Sequence, residues 1–189
     1  MAMMTPEQWT AEVRRRIAIN EGCRLRMYLD TMKIPTIAYG LNLTIGSART
    51  VLKNAGVTDI DGVIAGRTAL TQAQADSTFD QMLPNYINEA RGTLNPNVFD
   101  KLNDARRFVV VDMVYNLGTA GFMGFPSARR AIDNAVAATD QTTAHAQYEE
   151  AANQMVSSAW YGQVGNRAKR DVAMMRNGAW VDPNGDGSR

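Results

Sequence analysis

The chain has 189 residues, 45% of them hydrophobic and 21% charged, with a formal net charge of +1. This is enough to bury a core in one domain or two small lobes, and the near-balanced charge is not a nucleic-acid signature. One cysteine, Cys23, excludes an internal disulfide; one histidine, His145, leaves no His/Cys cluster for a metal; and no apolar run reaches the length of a membrane span.

In chain order, Thr5-Pro6-Glu7-Gln8 opens a helix, with Thr5 as N-cap, Pro6 at the first helical position and Gln8 completing a capping box. Trp9, Val13 and Ile17 recur at four-residue spacing and give it one apolar stripe. Gly22 is the expected left-handed terminator, which puts Glu21 in the last turn. Residues 25–30 and 36–43 are rich in β-formers, and the bend between them carries Lys33 and Pro35, so a hairpin is expected with Asp30 near its turn and Thr36 opening the returning strand. Residues 48–54 suggest a short helix, and residues 57–70 an irregular or partly stranded stretch. Thr71 and Gln74 form a second capping box, opening a helix to about Arg91, with a kink or break at Pro84. Residues 104–116 are apolar over more than one face, as a central helix is. Gly118, Gly121 and Gly124 then break the chain before a helix from about Ser127. Two more helices follow, over about 144–157 and 167–176, on either side of Trp160-Tyr161, and His145 should be an exposed helix residue. The tail from Asp182 imitates the start of a calcium loop but ends before the glutamate such a loop needs, and reads as a flexible terminus.

Glu21, Asp30 and Thr36 are the most informative residues. Two carboxylates and a hydroxyl on neighbouring elements are what glycosidic hydrolysis requires: one acid protonates the leaving oxygen, and the other carboxylate manages the attacking water. The negative end of a helix dipole disfavours an ionised carboxylate, which suits Glu21 to the acid role. Taken singly, each has a plainer reading, Glu21 as a solvated helix end and Asp30 as a turn former.

The spacing of these three, with Gly22, Leu25, Tyr28, Ile37 and Gly40 around them, resembles the catalytic segment of the phage-type lysozymes, glycoside hydrolase family 24. The resemblance continues in order through Asp112-Met113-Val114-Tyr115-Asn116-Leu117-Gly118, the turn at 121–125, Ser127, Ala159-Trp160-Tyr161, Asn166-Arg167-Ala168-Lys169-Arg170 and Gly178-Ala179-Trp180. It covers residues 8–181. It implies an α+β, mostly helical fold with a small N-terminal lobe bearing a β-hairpin or sheet, a larger all-helical C-terminal lobe and a cleft between them. Residues 17–72 would form the first lobe, 73–92 a connecting helix, 93–181 with 5–16 the second lobe, and 182–189 a tail. It implies Glu21 as general acid, Asp30 as the group that orients or activates water and Thr36 as the residue that holds it. Inversion at the anomeric carbon would separate the two carboxyl groups by roughly 6.5 to 9.5 Å. Arg167 matches the arginine that pairs with the catalytic glutamate, and Tyr28, Asn116, Trp160 and Tyr161 match residues nearby. Without the resemblance, Arg167 reads as a surface charge, and Trp160 and Tyr161 as packing.

The implied activity is a muramidase, cleaving the β-1,4 bond between N-acetylmuramic acid and N-acetylglucosamine in peptidoglycan for phage-mediated lysis. Two other readings stay open: a lytic transglycosylase, and a non-catalytic peptidoglycan-binding or virion structural module. Departures from the family pattern bear on the last. Ala38 and Leu41 stand where glycine and histidine are usual, and Pro35 restricts the hairpin path. Hydrolysis without a cofactor is expected, by a monomer whose partner is peptidoglycan, with no nucleic acid and no membrane insertion. Between positions 14 and 53, Arg14, Arg15, Arg16, Arg24, Arg26, Lys33, Arg49 and Lys53 outnumber Glu21 and Asp30, which suits steering toward an anionic wall polymer. No signal peptide opens the chain, so it is expected in the host bacterial cytoplasm when made, acting in the periplasm after release by a separate pore protein, a holin.

Overall fold

The computed structural model describes residues 3–30 and 32–185. The chain divides into two units, residues 14–84 and residues 1–13 with 85–189. The expected α+β class is found: the first unit carries a sheet, and the second is all-helical among the described residues.

Helix α1 (Pro6–Glu21) begins as the sequence dictates. The Thr5 amide donates to Gln8 Oε1 at 3.0 Å and the Gln8 amide to Thr5 Oγ1 at 3.3 Å, a reciprocal capping box. Trp9, Val13 and Ile17 are buried. Gly22, at φ +69°, ends the helix by donating to the Ala18 carbonyl.

The sheet unit continues with β1 (Arg24–Leu29), β2 (Pro35–Ala38) and β3 (Leu41–Asn42), antiparallel in the order β1-β2-β3. Tyr28 stands opposite Thr36 and Leu29 opposite Pro35, while Arg24 pairs with Ala38, so residues 25–27 bulge against Ile37 alone. Pro35 sits at the first position of its strand, where a missing N–H does least harm. One returning strand over 36–43 was expected, but it is broken into β2 and β3. Ala38 (φ +57°) and Gly40 (φ +104°) turn the chain between the paired Ile37 and Leu41. Leu41, at the family's histidine position, is fully buried and packs as an ordinary apolar residue.

Helix α2 (Ala48–Asn54) lies where expected. The irregular stretch over 57–70 contains a helix instead, α3 (Ile60–Ile64), because the Asp59 side chain caps it by accepting from the Gly62 amide at 2.8 Å. Helix α4 (Gln72–Gly92) opens on the Thr71/Gln74 capping box and, of the kink or break expected at Pro84, shows no break. Ile17, Ile37, Leu41, Leu52, Val63, Phe79 and Leu83 supply the buried apolar side chains of this unit.

In the helical unit, α5 (Val98–Lys101) is a short helix with no counterpart in the sequence reading. Helix α6 (Asp104–Met123) buries every residue from Phe108 to Val114, the all-round burial expected of a central helix. At Gly118, φ +73° and ψ 163° are non-helical, so a kink divides α6 into two helical stretches at the first of the glycines expected to break the chain. Helices α7 (Pro126–Ala137), α8 (Gln141–Val156), α9 (Ala159–Val164) and α10 (Asn166–Asn177) follow, with α8 packed against α7 and α10, and α10 also against α6 and α9. His145 is exposed on α8. Asp182 closes a turn by accepting from the Asn184 and Gly185 amides, and Arg170 holds the Gly185 carbonyl at 2.9 Å. The remainder of the expected tail, residues 186–189, lies outside the described residues.

Candidate active site

Within the sheet unit, the sequence-selected residues fall into one neighbourhood. Cross-strand partners in an antiparallel ladder project from the same face, so Tyr28 and Thr36 are side by side, with Asn42 next to Thr36 on the third strand. The Arg24 guanidinium lies over the Tyr28 ring, 4.4 Å from its centroid. Burial pushes the Tyr28 hydroxyl above its ordinary value; Arg24 pulls it down, and the carboxylates of Glu21 and Asp30 push it up. Both acids therefore lie within electrostatic reach of one phenol.

Asp30 is fixed by the hairpin. Its Oδ1 accepts from the Met32 and Ile34 amides, each at 2.8 Å, its own amide donates to the Ile34 carbonyl, and its carbonyl accepts from Lys33. Asp30 is thus the turn former that its plainer reading supposed, and that same role removes its freedom to rotate. Both of these side-chain bonds fall on Oδ1, which leaves Oδ2 outside the turn's own network. Thr36 is buried and donates from Oγ1 to the Ile34 carbonyl at 2.9 Å. With its proton committed, the hydroxyl presents lone pairs that can accept a bond from water. Asp30 and Thr36 are thereby tied to one residue, Ile34, through its amide and its carbonyl. Glu21 is exposed at the end of α1.

In the helical unit, Arg167 is not a surface charge. It is buried on α10 and donates from Nε to Asp112 Oδ2 at 2.7 Å and from Nη2 to Asp112 Oδ1 at 3.0 Å, a two-pronged grip on a fully buried carboxylate of α6. Asp171, one turn along α10, is also buried. Burial, then the charge and hydrogen bonding of Asp112, hold its carboxyl well above the usual range, against the opposing pull of Arg167 and Arg170. Asn116 accepts from Trp160 Nε1 at 2.9 Å, and Trp160 is buried, edge-on to Phe125. Tyr161 is partly exposed beside it on α9.

The sequence reading missed Arg24, Asp112 and Asp171 as members of these clusters. An acid inside the apolar run Phe108-Val109-Val110-Val111-Asp112-Met113-Val114, and another four residues after Arg167, were the available signals.

A sequence profile described as phage lysozyme matches residues 18–170, which is most of the chain. This protein belongs to the phage lysozyme family. A protein of Dictyostelium discoideum named probable T4-type lysozyme 1 is 22% identical over 178 residues, covering 89% of this chain and 95% of that relative. The match takes in Glu21, Asp30, Thr36, Asn116, Trp160 and Arg167, so the clusters of both units lie inside the family's sequence pattern. Family membership supports a lysozyme-type glycoside hydrolase activity, with peptidoglycan as the polymer acted on.

Proposed function

We propose that this phage lysozyme family member is a muramidase. It would hydrolyse the β-1,4 bond between N-acetylmuramic acid and N-acetylglucosamine with inversion, for phage-mediated lysis. Glu21 acts as general acid and gives its proton to the leaving oxygen. Asp30 Oδ2 and Thr36 Oγ1 each accept a hydrogen bond from one water, which turns an oxygen lone pair of that water toward the anomeric carbon. Asp30 takes up the proton that the water loses as the bond forms. Tyr28 and Arg24 flank the acids and bound the electrostatic environment of the sugar.

The observation that carries this reading is the shared anchoring of Asp30 and Thr36 on Ile34. Two acceptors locked by one residue, without their own mobility, are what the positioning of a single water demands. A transglycosylase needs no residue to hold water, since the sugar's own hydroxyl is the nucleophile. The polymer lies beyond the inner membrane, so we further propose that the enzyme is made in the host cytoplasm, acts as a monomer and reaches the periplasm through a separate holin.

The test is product analysis on purified peptidoglycan. Mass spectrometry of digests should give reducing-end sugars, and Glu21→Gln and Asp30→Asn, whose Oδ1 can still accept both turn amides, should abolish their release while melting close to the wild type. Anhydro ends, lighter by one water, would establish the transglycosylase in its place; intact wall retained on the wild-type protein would establish a binding module.

A further inference from the structure

The buried acid pair behind Arg167 has a role that simple ion pairing does not cover. Three ionisable side chains, Asp112, Asp171 and Arg167, are packed in the core of the helical unit, and Asp171 Oδ2 is buried without a hydrogen-bond partner among the described residues. Two carboxylates against one guanidinium would leave an uncompensated negative charge out of water, which an apolar interior does not tolerate. A proton on Asp171 eases both difficulties: the cluster becomes neutral, and the Asp171 carboxyl gains a donor for the Asp112 carboxylate, its hydrogen-bonding neighbour.

Among the described residues, several charged side chains on the other elements packed on α10 are engaged elsewhere, Arg107 of α6 with Asp104. Helix α9 carries no charged side chain. On α8, Glu149 is paired with Arg176 and Glu150 is bonded to Gln154. From α6, Arg106 is spent on the Met175 and Arg176 carbonyls. Arg170, half-buried on the same helix, pulls on the Asp171 charge but does not bond Oδ2, and its Nη1 donates to the Gly185 carbonyl.

We infer that Asp112 and Asp171 work as one carboxyl pair sharing a single proton, and that this pair locks the Arg167 guanidinium in one orientation. Asp112 is the positioning residue, because it takes the Nε and Nη2 edge and so fixes the direction of the Nη1 corner. Asp171 pins Asp112 from behind by donating to it. The consequence for turnover rests on the proposed muramidase reading, in which Arg167 serves the reaction; the locking itself does not.

Two readouts on the full chain separate these levels. With 13C-labelled aspartate, NMR at pH 7 should show one carboxyl still protonated in the wild type, and that signal should be absent from Asp171→Asn. The Arg167 Nε–H should be protected from solvent exchange in the wild type and in Asp171→Asn, whose amide can still donate to Asp112, and lose protection at least tenfold in Asp112→Asn. Wild type with every aspartate ionised at pH 7, or an unprotected Arg167 Nε–H, would overturn the inference, and both are read without any variant that must fold. On peptidoglycan, Asp112→Asn should lower kcat at least tenfold with KM changed less than twofold, and Asp171→Asn should lower it by a smaller factor. Equal loss in both variants would overturn the positioning role, whereas an inactive wild type with a normal carboxyl signal and a protected Arg167 would sink only the muramidase reading.

Discussion

Tyr28 and Thr36 face each other across the β1–β2 ladder, and Thr36 reaches sideways to bond the Ile34 carbonyl in the same turn that binds Asp30. The hydroxyl is therefore held by main chain, which separates its chemical role from its structural one. Thr36→Val keeps the shape and removes the acceptor. It should cost about 1 kcal/mol of stability, the worth of one hydrogen bond, and at least tenfold in kcat. Thr36→Ser should keep most of the activity. Denaturant melts and initial rates on purified wall would check both, and an active Thr36→Val would remove Thr36 from the water site.

Ala38 holds φ +57° while its methyl group is buried. A non-glycine residue in the left-handed region costs about 1 to 2 kcal/mol. Replacing it with glycine relieves that strain but adds unfolded-chain entropy of about 0.4 to 1 kcal/mol and gives up about 0.8 kcal/mol of methyl burial. The terms nearly cancel, so Ala38→Gly should melt close to wild type. Ala151→Gly, equally buried inside α8, should lose about 2 kcal/mol, since helix propensity and burial there act in the same direction. Equal losses at the two sites would show that Ala38 is not strained.

Trp160 is the test of packing against sugar contact. It is buried, with its one polar atom bonded to Asn116. Trp160→Ala should cost about 3 to 5 kcal/mol, as for any large core aromatic. Trp160→Phe should cost far less and leave KM for peptidoglycan within twofold. A large rise in KM for Trp160→Phe, with stability intact, would make the indole a substrate platform.

Stability should depend on pH with two limbs of opposite sign. Asp59 is held below the ordinary carboxylate value by its bonds from Thr68 and Gly62, and Asp140 by those from Thr143. Each contributes stability that is present above the unfolded-state value and lost as pH falls through the folded one. Asp171 runs the other way. Its raised folded-state value means no penalty below the unfolded value near 3.9, and a growing one as pH rises above it, because only the unfolded chain gives up the proton. Asp171→Asn should therefore gain more in Tm over wild type at pH 8 than at pH 4. A gain that is constant or reversed with pH would contradict the sign.

Features set by neighbours in sequence were readable from the chain. Thr5 with Gln8, Thr71 with Gln74, and Gly22 after Glu21 each fix a helix boundary through bonds spanning a few residues, and each lies where its pattern implied. The split of the returning strand was not readable, because alanine is a poor signal for the left-handed turn that Ala38 makes. Helix α3 was hidden by its shortness, with Asp59 serving as a cap for only five residues. Pro84 called for a kink or a break, and the second of these is absent, since the helix continues through the lost donor. The clustering of Glu21, Tyr28, Asp30 and Thr36 followed from a short hairpin and was foreseeable. The grip of Arg167 on Asp112 joins residues 55 apart in sequence, and nothing local to either position specifies it.

The most direct measurement is the rate of reducing-end release from purified peptidoglycan by wild type and Glu21→Gln, with both proteins shown to share one melting temperature. A proton donor at the end of α1 requires turnover by the wild type and its loss, by at least a hundredfold, in the amide variant. Equal rates from the two would mean that the leaving oxygen is protonated by another group, and the roles assigned to Glu21, Asp30 and Thr36 would fall together.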